Sequence, residues 1–363
     1  MSDHAALLAQ RVADAYRQHT PLALRGSGTK DLLGIPCRGT EVSLAPHAGV
    51  LDYEPTELVI TARCGTALAT LESTLDHAHQ MLPFEPPRFT RAGCTGALGG
   101  TLGGALASGL SGPRRPYGGA VRDHVLGLKM INGQGHILNF GGQVMKNVAG
   151  YDISRLHVGA LGTLGIILEA SIKVLPKPSA GETRLIEMDA ARAIRTLNAW
   201  AARPLPITGA AYWQGLLHIR LEGTQAAIDS VRDDIGGDID GRGDAFWSAL
   251  RDQTHPFFDS DIPLWRLSVP DTTPPLDLPG EQLIDWGGAQ RWYRGAADPA
   301  AVLAAARTAR GHAQCWRGDA VAEFGLTARL DLPAPLRAIE QRLKRALDPA
   351  CIFNRGVWFD AGS

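Results

Sequence analysis

The most informative part of the sequence for the architecture lies between residues 99 and 112 and reads Gly99-Gly100-Thr101-Leu102-Gly103-Gly104-Ala105-Leu106-Ala107-Ser108-Gly109-Leu110-Ser111-Gly112. Glycine this dense is more than a helix or strand usually tolerates, because each glycine adds backbone entropy that folding must overcome. The absence of side chains at Gly103 and Gly104 would, however, allow the main chain to approach a ligand closely. Leucines recur between the glycines at packing intervals, so we expect a buried, ordered segment and not a flexible linker.

Two more glycine turns occur in the same half of the chain. Gly26-Ser27-Gly28-Thr29 follows a predicted strand at 22–25 and can point successive N–H groups at one anion, for which a phosphate is the natural occupant. Taken alone, these four residues also fit an ordinary strand-to-loop turn. A third run, at 159–166, repeats the theme as Gly159-Ala160-Leu161-Gly162-Thr163-Leu164-Gly165-Ile166. Three such turns in one domain predict a single long ligand.

Several classes of function are disfavoured by what the sequence lacks. It has neither a G-x-G-x-x-G run between strand and helix nor a G-x-x-x-x-G-K-[ST] loop, which argues against nicotinamide dinucleotides and nucleoside triphosphates. The net charge of -1, from 36 basic and 37 acidic residues, argues against nucleic acid and anionic membranes as partners. The cysteines are odd in number and widely spaced, so we expect no disulfide scaffold, no metal site and no iron–sulfur cluster held by this chain alone. They are Cys37, Cys64, Cys94, Cys315 and Cys351.

The chain length of 363 residues predicts two domains. Pro176, Pro178 and Ser179 read as a linker, which predicts a first domain at 1–178. After it, the order strand, helix, strand, strand, helix over 183–235 predicts a helix-backed antiparallel sheet of ferredoxin-like type, and a less regular second set follows over 265–316. We therefore predict a second domain at 179–330 and a C-terminal helix and tail at 331–363 that pack on the first domain. Residues 1–19 contain no uninterrupted apolar run, which predicts neither a secretion signal nor a membrane span, and hence a cytoplasmic protein.

Residues 21–30, 101–123 and 146–176 resemble, in that order, the FAD-binding domain of the vanillyl-alcohol oxidase and p-cresol methylhydroxylase (PCMH-type) flavoprotein family. The resemblance covers about half of the chain. It implies an α+β fold, with a two-subdomain PCMH-type FAD-binding domain followed by a ferredoxin-like cap domain and a tail that returns to the FAD domain. The FAD-binding residues that it implies are Gly26, Ser27, Gly28, Thr29, Thr101, Gly103, Gly104, Ser108, Ser111, Gly165 and Ile166. Some relatives bind the flavin covalently through a histidine where this chain has Thr29, so we expect noncovalent FAD.

Within this family, residues 110–115 and 141–152 and the tail pattern over 348–354 are similar to the FAD-binding subunits of bacterial glycolate oxidases. That resemblance implies oxidation of a 2-hydroxy acid to a 2-oxo acid inside a complex with a second FAD-linked subunit and an iron–sulfur subunit. Membrane association would then occur only through the partner subunits. The catalytic relatives carry a histidine-rich metal motif, whereas His218, His255 and His312 are isolated in this sequence, which puts independent turnover in doubt. Alternatives are a noncatalytic assembly or electron-relay flavosubunit, a D-lactate dehydrogenase-like enzyme, and a UDP-sugar enolpyruvyl reductase, for which no nicotinamide site is apparent.

The catalytic residues are not assigned by the sequence. Arg291, beside Trp292 and Tyr293, is a candidate for carboxylate recognition, and an exposed strand arginine is the alternative. His124 is compatible with a position near the flavin or with a structural hydrogen bond. His77 and His79 lie two apart on a predicted helix and therefore face different directions, so we expect both to be solvated.

Overall fold

The computed structural model describes residues 3–34, 37–89, 99–142, 152–259, 261–325 and 333–357. The chain divides into two compact units. Unit 1 comprises residues 1–110, 120–176 and 329–363, and unit 2 comprises 111–119 and 177–328. Residues 111–119 group with unit 2, which the sequence did not lead us to expect, since we placed them inside a continuous first domain.

The described residues form short helices and strands throughout. The helices are α1 (Ala5–Gln18), α2 (Leu68–Asp76), α3 (Leu102–Ser108), α4 (Arg115–Gly118), α5 (Ile153–Leu156), α6 (Ala190–Ala201), α7 (Gln225–Asp229), α8 (Arg232–Ile235), α9 (Gly243–Asp252), α10 (Pro299–Thr308), α11 (Val321–Phe324) and α12 (Ala334–Leu347). The strands are β1 (Leu22–Arg25), β2 (Thr40–Ser43), β3 (Val50–Glu54), β4 (Val59–Arg63), β5 (Gln80–Met81), β6 (Val125–Ile131), β7 (Ile137–Gly141), β8 (Ile166–Lys173), β9 (Leu175–Pro176), β10 (Ala180–Glu187), β11 (Ile207–Trp213), β12 (Leu216–Gly223), β13 (Asp238–Ile239), β14 (Leu264–Ser268), β15 (Glu281–Asp285), β16 (Gln290–Arg294) and β17 (His312–Arg317). Short 3-10 helices lie at Asp31–Leu33, Pro55–Glu57, Val121–His124, Pro256–Phe258 and Trp286–Gly288.

Unit 1 is built on a five-stranded antiparallel sheet of order β3-β4-β8-β6-β7. Successive residues of β8 point to opposite faces, so Ile167 joins the core that contains α2 and α3, whereas Ile166 and Leu168 join the core that contains α1. The strands β1 and β2 form a separate parallel pair. The strands β6 and β7 form a hairpin, and in its turn Asn132 Oδ1 accepts from the backbone N–H of Gln134 and of His136.

The helix α3 corrects an expectation from the sequence, since we took its glycines to be too dense for a helix. Thr101 caps it, with Oγ1 accepting from the Gly104 N–H at 3.2 Å, and Gly109 ends it with a φ of 62°. A Cβ at position 103 would lie 2.9 Å from Cys64 Cβ and 3.0 Å from Cys64 O. The glycine therefore lets the helix pack directly against the backbone that follows β4, and this close packing offsets its poor helix propensity.

Unit 2 contains an eight-stranded antiparallel sheet of order β13-β10-β12-β11-β15-β16-β14-β17. Its first half runs β10, α6, β11, β12, α7 with α8, and β13, which is the ferredoxin-like order. The second half, from β14 to β17, repeats this strand order, with a loop where the first half has α6. The halves meet edge to edge where β11 pairs with β15. In neither unit does any described helix combine the length and the apolar character needed to cross a membrane.

Candidate functional site

The three glycine turns of unit 1 surround one cavity of about 470 Å³, a volume typical of ligand pockets. The structure brings ten of the eleven predicted binding residues to its wall. They are Gly26, Ser27, Gly28, Thr29, Thr101, Gly103, Gly104, Ser108, Gly165 and Ile166. The eleventh, Ser111, does not line this cavity and belongs to unit 2. Residues 143–151, which carried part of the sequence resemblance, lie outside the described residues.

The first turn packs tightly on the start of α3. Gly28 has a φ of 78°, a left-handed conformation that lets neighbouring N–H groups face one side of the loop. A Cβ at position 26 would lie 2.6 Å from Thr101 Oγ1, so a larger residue would push the turn away from the helix. Thr29 is buried beside them. The first two turns therefore meet through a contact that requires glycine at position 26.

The third turn is hydrogen-bonded to the other end of α3. The N–H of Gly159 donates to Leu106 O at 2.9 Å, and the N–H of Leu161 donates to Ala107 O at 2.8 Å. A Cβ at position 165 would lie 2.7 Å from the backbone oxygen of Ile131, so this turn also sits too close to the sheet for a side chain. As a result, α3 is the common support of all three turns.

The C-terminal tail contributes a residue to the cavity that the sequence analysis did not single out. Asn354 lines the wall, its Oδ1 accepts from the Leu24 N–H at 2.7 Å, and its Nδ2 donates to Leu161 O at 2.7 Å. The amide thereby joins β1, which leads into the first turn, to the third turn. A polar residue directly after the apolar pair Ile352 and Phe353 was the only sequence signal for it.

A buried ion pair holds the tail in place. Lys344 Nζ donates to Asp348 Oδ2 at 2.6 Å and to Thr163 O at 2.6 Å. The Asp348 carboxylate also accepts from the N–H groups of Ile352 and Phe353. Both charged side chains are buried, and a buried pair of this kind is stable only when its remaining hydrogen-bonding capacity is satisfied. The tail pattern over 348–354 is therefore explained by structure: it fixes Asn354 against the third turn.

The remaining wall of the cavity is mostly neutral. The Cys64 thiol is buried, and burial raises its pKa well above the usual range, so the thiol stays protonated. Among the charged residues that line the cavity, Arg25 is paired with Asp31 and Glu41, and Lys30 Nζ lies 3.3 Å from Thr29 Oγ1. Across the described parts of both units, no group of three His, Cys, Asp or Glu side chains is placed to hold a metal ion. The cavity is thus suited to hold a long ligand through backbone and neutral polar contacts.

The structure corrects both interpretations of Arg291. Its side chain is fully buried and donates to Gly288 O and to Thr273 O, each at 2.7 Å. Burial lowers the pKa of this guanidinium to about 10. Because its donors are taken up by backbone carbonyls, Arg291 neither recognises a substrate carboxylate nor lies on the surface. It ties two loops of unit 2 together.

Two of the histidines that are isolated in the sequence contact the same aromatic ring in the structure. In unit 2, His218 stacks on Phe246 with ring centres 3.8 Å apart, and His255 meets the edge of the same ring at 5.3 Å. Burial lowers the pKa of His218 to about 4, so it is neutral. In unit 1, His124 is buried with its ring centre 6.0 Å from that of Phe84 and does not line the cavity, which favours its structural interpretation.

Known proteins are similar to this chain over part of its length or nearly all of it. The family model of an FAD binding domain matches residues 3–141. The glycolate oxidase subunit GlcE of Escherichia coli is 45% identical over 355 residues, which cover 98% of this chain and 97% of that protein. The glycolate oxidase subunit GlcD of Bacillus subtilis is 33% identical over 48% of this chain and 36% of its own length. A structure of alkyldihydroxyacetonephosphate synthase, 17% identical, matches the fold with a TM-score of 0.62 over 95% of this chain and 74% of its own. The chain therefore belongs to the family of the glycolate oxidase subunit GlcE, and its N-terminal part is an FAD binding domain.

Proposed function

We propose that this chain is the FAD-binding subunit of a glycolate oxidase complex. The observation that carries the proposal is the convergence of three separate glycine turns on one cavity. Similarity to GlcE along nearly the whole chain supports the same assignment. The similarity to GlcD and to D-lactate dehydrogenases supports a 2-hydroxy acid as the substrate class.

The cavity residues divide into three roles. The turn from Gly26 to Thr29 would bind the pyrophosphate through backbone N–H groups, because positive-φ glycine exposes them on one side. The segment from Thr101 to Ser108 would lie along the pyrophosphate and the flavin, and Gly165 with Ile166 would contact the cofactor through backbone. We propose noncovalent attachment, since Thr29 offers no nucleophilic nitrogen and the Cys64 thiol stays protonated. Ser111 stays a prediction.

The reaction is a two-electron oxidation of the 2-hydroxy acid. Bound FAD would supply the hydride acceptor for the hydrogen on the hydroxyl-bearing carbon, while the hydroxyl proton passes to a base. The product is the 2-oxo acid, and the two electrons leave to an iron–sulfur partner. We propose a second FAD-linked subunit as the other partner, because the relatives are named as subunits. We assign unit 2 the role of the cap domain.

A noncatalytic relay flavosubunit is the second candidate. The observation that favours it is the packing of His218 face to face with Phe246, which uses this histidine for structure and not for chemistry. In such a complex the GlcD-type partner would oxidise the acid, and this chain would only transmit electrons.

A flavin spectrum of the isolated chain tests these proposals. A yellow protein that bleaches with glycolate under anaerobic conditions supports catalysis by this chain. A yellow protein that bleaches only after the GlcD-type subunit is added supports the relay role. A colourless protein that does not take up FAD would contradict both. Precipitation by acid should release the flavin into the supernatant, as expected for noncovalent binding.

A further inference from the structure

Unit 2 holds an arginine clamped by two tryptophans. The guanidinium carbon of Arg266 lies 5.1 Å from the ring centre of Trp286 and 5.4 Å from that of Trp316. Its Nε donates to Gln290 Oε1 at 2.7 Å, and Gln290 Nε2 donates to Asp285 Oδ2 at 3.2 Å. The two rings and this hydrogen-bonded relay fix the plane of the guanidinium, so little side-chain entropy remains to be lost when it binds a ligand.

The two terminal amino groups of Arg266 differ from those of its neighbours. Within the described parts of unit 2, the side chain of Arg266 donates hydrogen bonds through Nε only. This side chain is partly exposed. By contrast, Arg291 is saturated with backbone carbonyls, and Arg294 is paired with Glu281. Since a guanidinium presents paired N–H groups that match a carboxylate, the fork of Arg266 is pre-positioned for a planar anion.

A second arginine and a buried carboxylate, Asp285, lie near the Arg266 guanidinium. Arg115 lies over the same indole, with its guanidinium carbon 4.3 Å from the ring centre of Trp286. Desolvation and the repulsion from Arg115 lower the pKa of Arg266 to about 10, although the Asp285 carboxylate raises it in part, so Arg266 remains charged at neutral pH.

Neutral polar groups share the sheet face of Arg266. In the pairing of β14 with β17, Gln314 lies opposite Arg266, and His312 lies opposite Ser268. Paired residues and residues two apart point to the same face, so these side chains stand together. This face is opposite to the one that carries Trp265, Leu267 and the α10 core. Desolvation and the charge of Arg266 lower the pKa of His312, so its imidazole is neutral at pH 7.

We propose that Arg266 is the carboxylate-binding residue of unit 2 and takes a small 2-hydroxy acid across its two terminal amino groups. Ser268, His312 and Gln314 then offer neutral hydrogen-bonding partners to the hydroxyl of the ligand. The carboxylate site stands on the geometry of Arg266 alone. The choice of a 2-hydroxy acid as its occupant rests on the proposed function.

Binding of glycolate to the full-length chain tests the site, with the uncharged glycolamide as a control ligand, by calorimetry and saturation-transfer NMR. Arg266→Gln should weaken glycolate binding by at least about tenfold, since it removes a charge-assisted bidentate contact. Arg266→Lys keeps the charge but loses the paired N–H groups, so it should also weaken glycolate binding. It replaces Arg266→Gln as the test variant if the glutamine variant unfolds. Arg294→Gln, a stacked arginine of the same sheet with its own carboxylate partner, should leave binding within about twofold. The site would be overturned if the wild type and both Arg266 variants bound glycolate with equal affinity. It would also be overturned if the wild type did not bind glycolate, or bound glycolamide as well as glycolate.

Flavin reduction separates this proposal from the proposed function. If glycolate bleaches the flavin equally in the wild type and in Arg266→Gln, the proposed function stands and the Arg266 site fails. If glycolate binding depends on Arg266 but the flavin never bleaches, even with the partner subunits present, the site stands and the glycolate oxidase function fails.

Discussion

Leu24 and Asn354 lie 330 positions apart in the sequence and are joined by a hydrogen bond of 2.7 Å from the Leu24 N–H to Asn354 Oδ1. The same amide donates through Nδ2 to Leu161 O. One side chain of the tail thus holds two of the three glycine turns at a fixed separation. The shape of the cavity lined by the glycine turns therefore depends on a residue near the C-terminus.

Asn354→Asp should weaken FAD binding. The carboxylate keeps the acceptor for Leu24 but places an oxygen against Leu161 O, so one buried donor is lost and two acceptors face each other. A change of this kind costs about 1–3 kcal/mol, and we expect FAD affinity to fall by roughly tenfold when measured by flavin fluorescence. Asn139→Asp, an exposed position on β7, should leave it unchanged. Equal affinities in the two variants would mean that Asn354 does not set the cavity.

Breaking the ion pair between Lys344 and Asp348 should destabilise the protein strongly. Lys344→Met or Asp348→Asn leaves one buried charge unpaired, which costs about 3–5 kcal/mol. The double variant should be less destabilised than the sum of the two single ones, because it leaves no unpaired charge. Urea unfolding of the four proteins measures this coupling. Additive losses would show that the two charges act independently and contradict the assigned role of the pair.

The sequence predicts the glycine turns because their backbone demands are local, and ten of the binding residues that the family resemblance implies line one cavity. It does not predict Asn354, because that role depends on hydrogen bonds to residues 330 and 193 positions away. Arg266 and Arg291 each adjoin a tryptophan in a strand. Only the sheet shows that Arg291 is buried against backbone carbonyls, while Arg266 lies on the opposite face.

Substitutions at Gly103 and Gly104 should separate folding from FAD binding. A side chain at position 103 would collide with Cys64, so Gly103→Val should destabilise unit 1 itself. At position 104, the described contact of an added Cβ beyond its chain neighbours and the backbone of its own helix is Thr101 Oγ1 at 3.3 Å, and the residue lines the cavity. Gly104→Val should therefore fold and lose FAD. The comparison requires the thermal midpoint and the flavin content of both variants, and a flavin-loaded Gly104→Val protein would contradict the site.

Acid should destabilise unit 1 through His157. This imidazole is buried, and burial lowers its pKa to about 4, whereas the pKa in the unfolded chain is about 6.5. Between these two pKa values the unfolded chain binds more protons than the folded protein. The free energy of unfolding therefore has its full value above about pH 6.5 and falls by up to about 3 kcal/mol as the pH drops towards 4. His157→Phe should reduce the change in the urea midpoint of unfolding between pH 7.5 and pH 5. His136→Gln, at an exposed position, should leave that change as it is in the wild type. An unchanged slope in His157→Phe would show that this imidazole is not the acid-sensitive group.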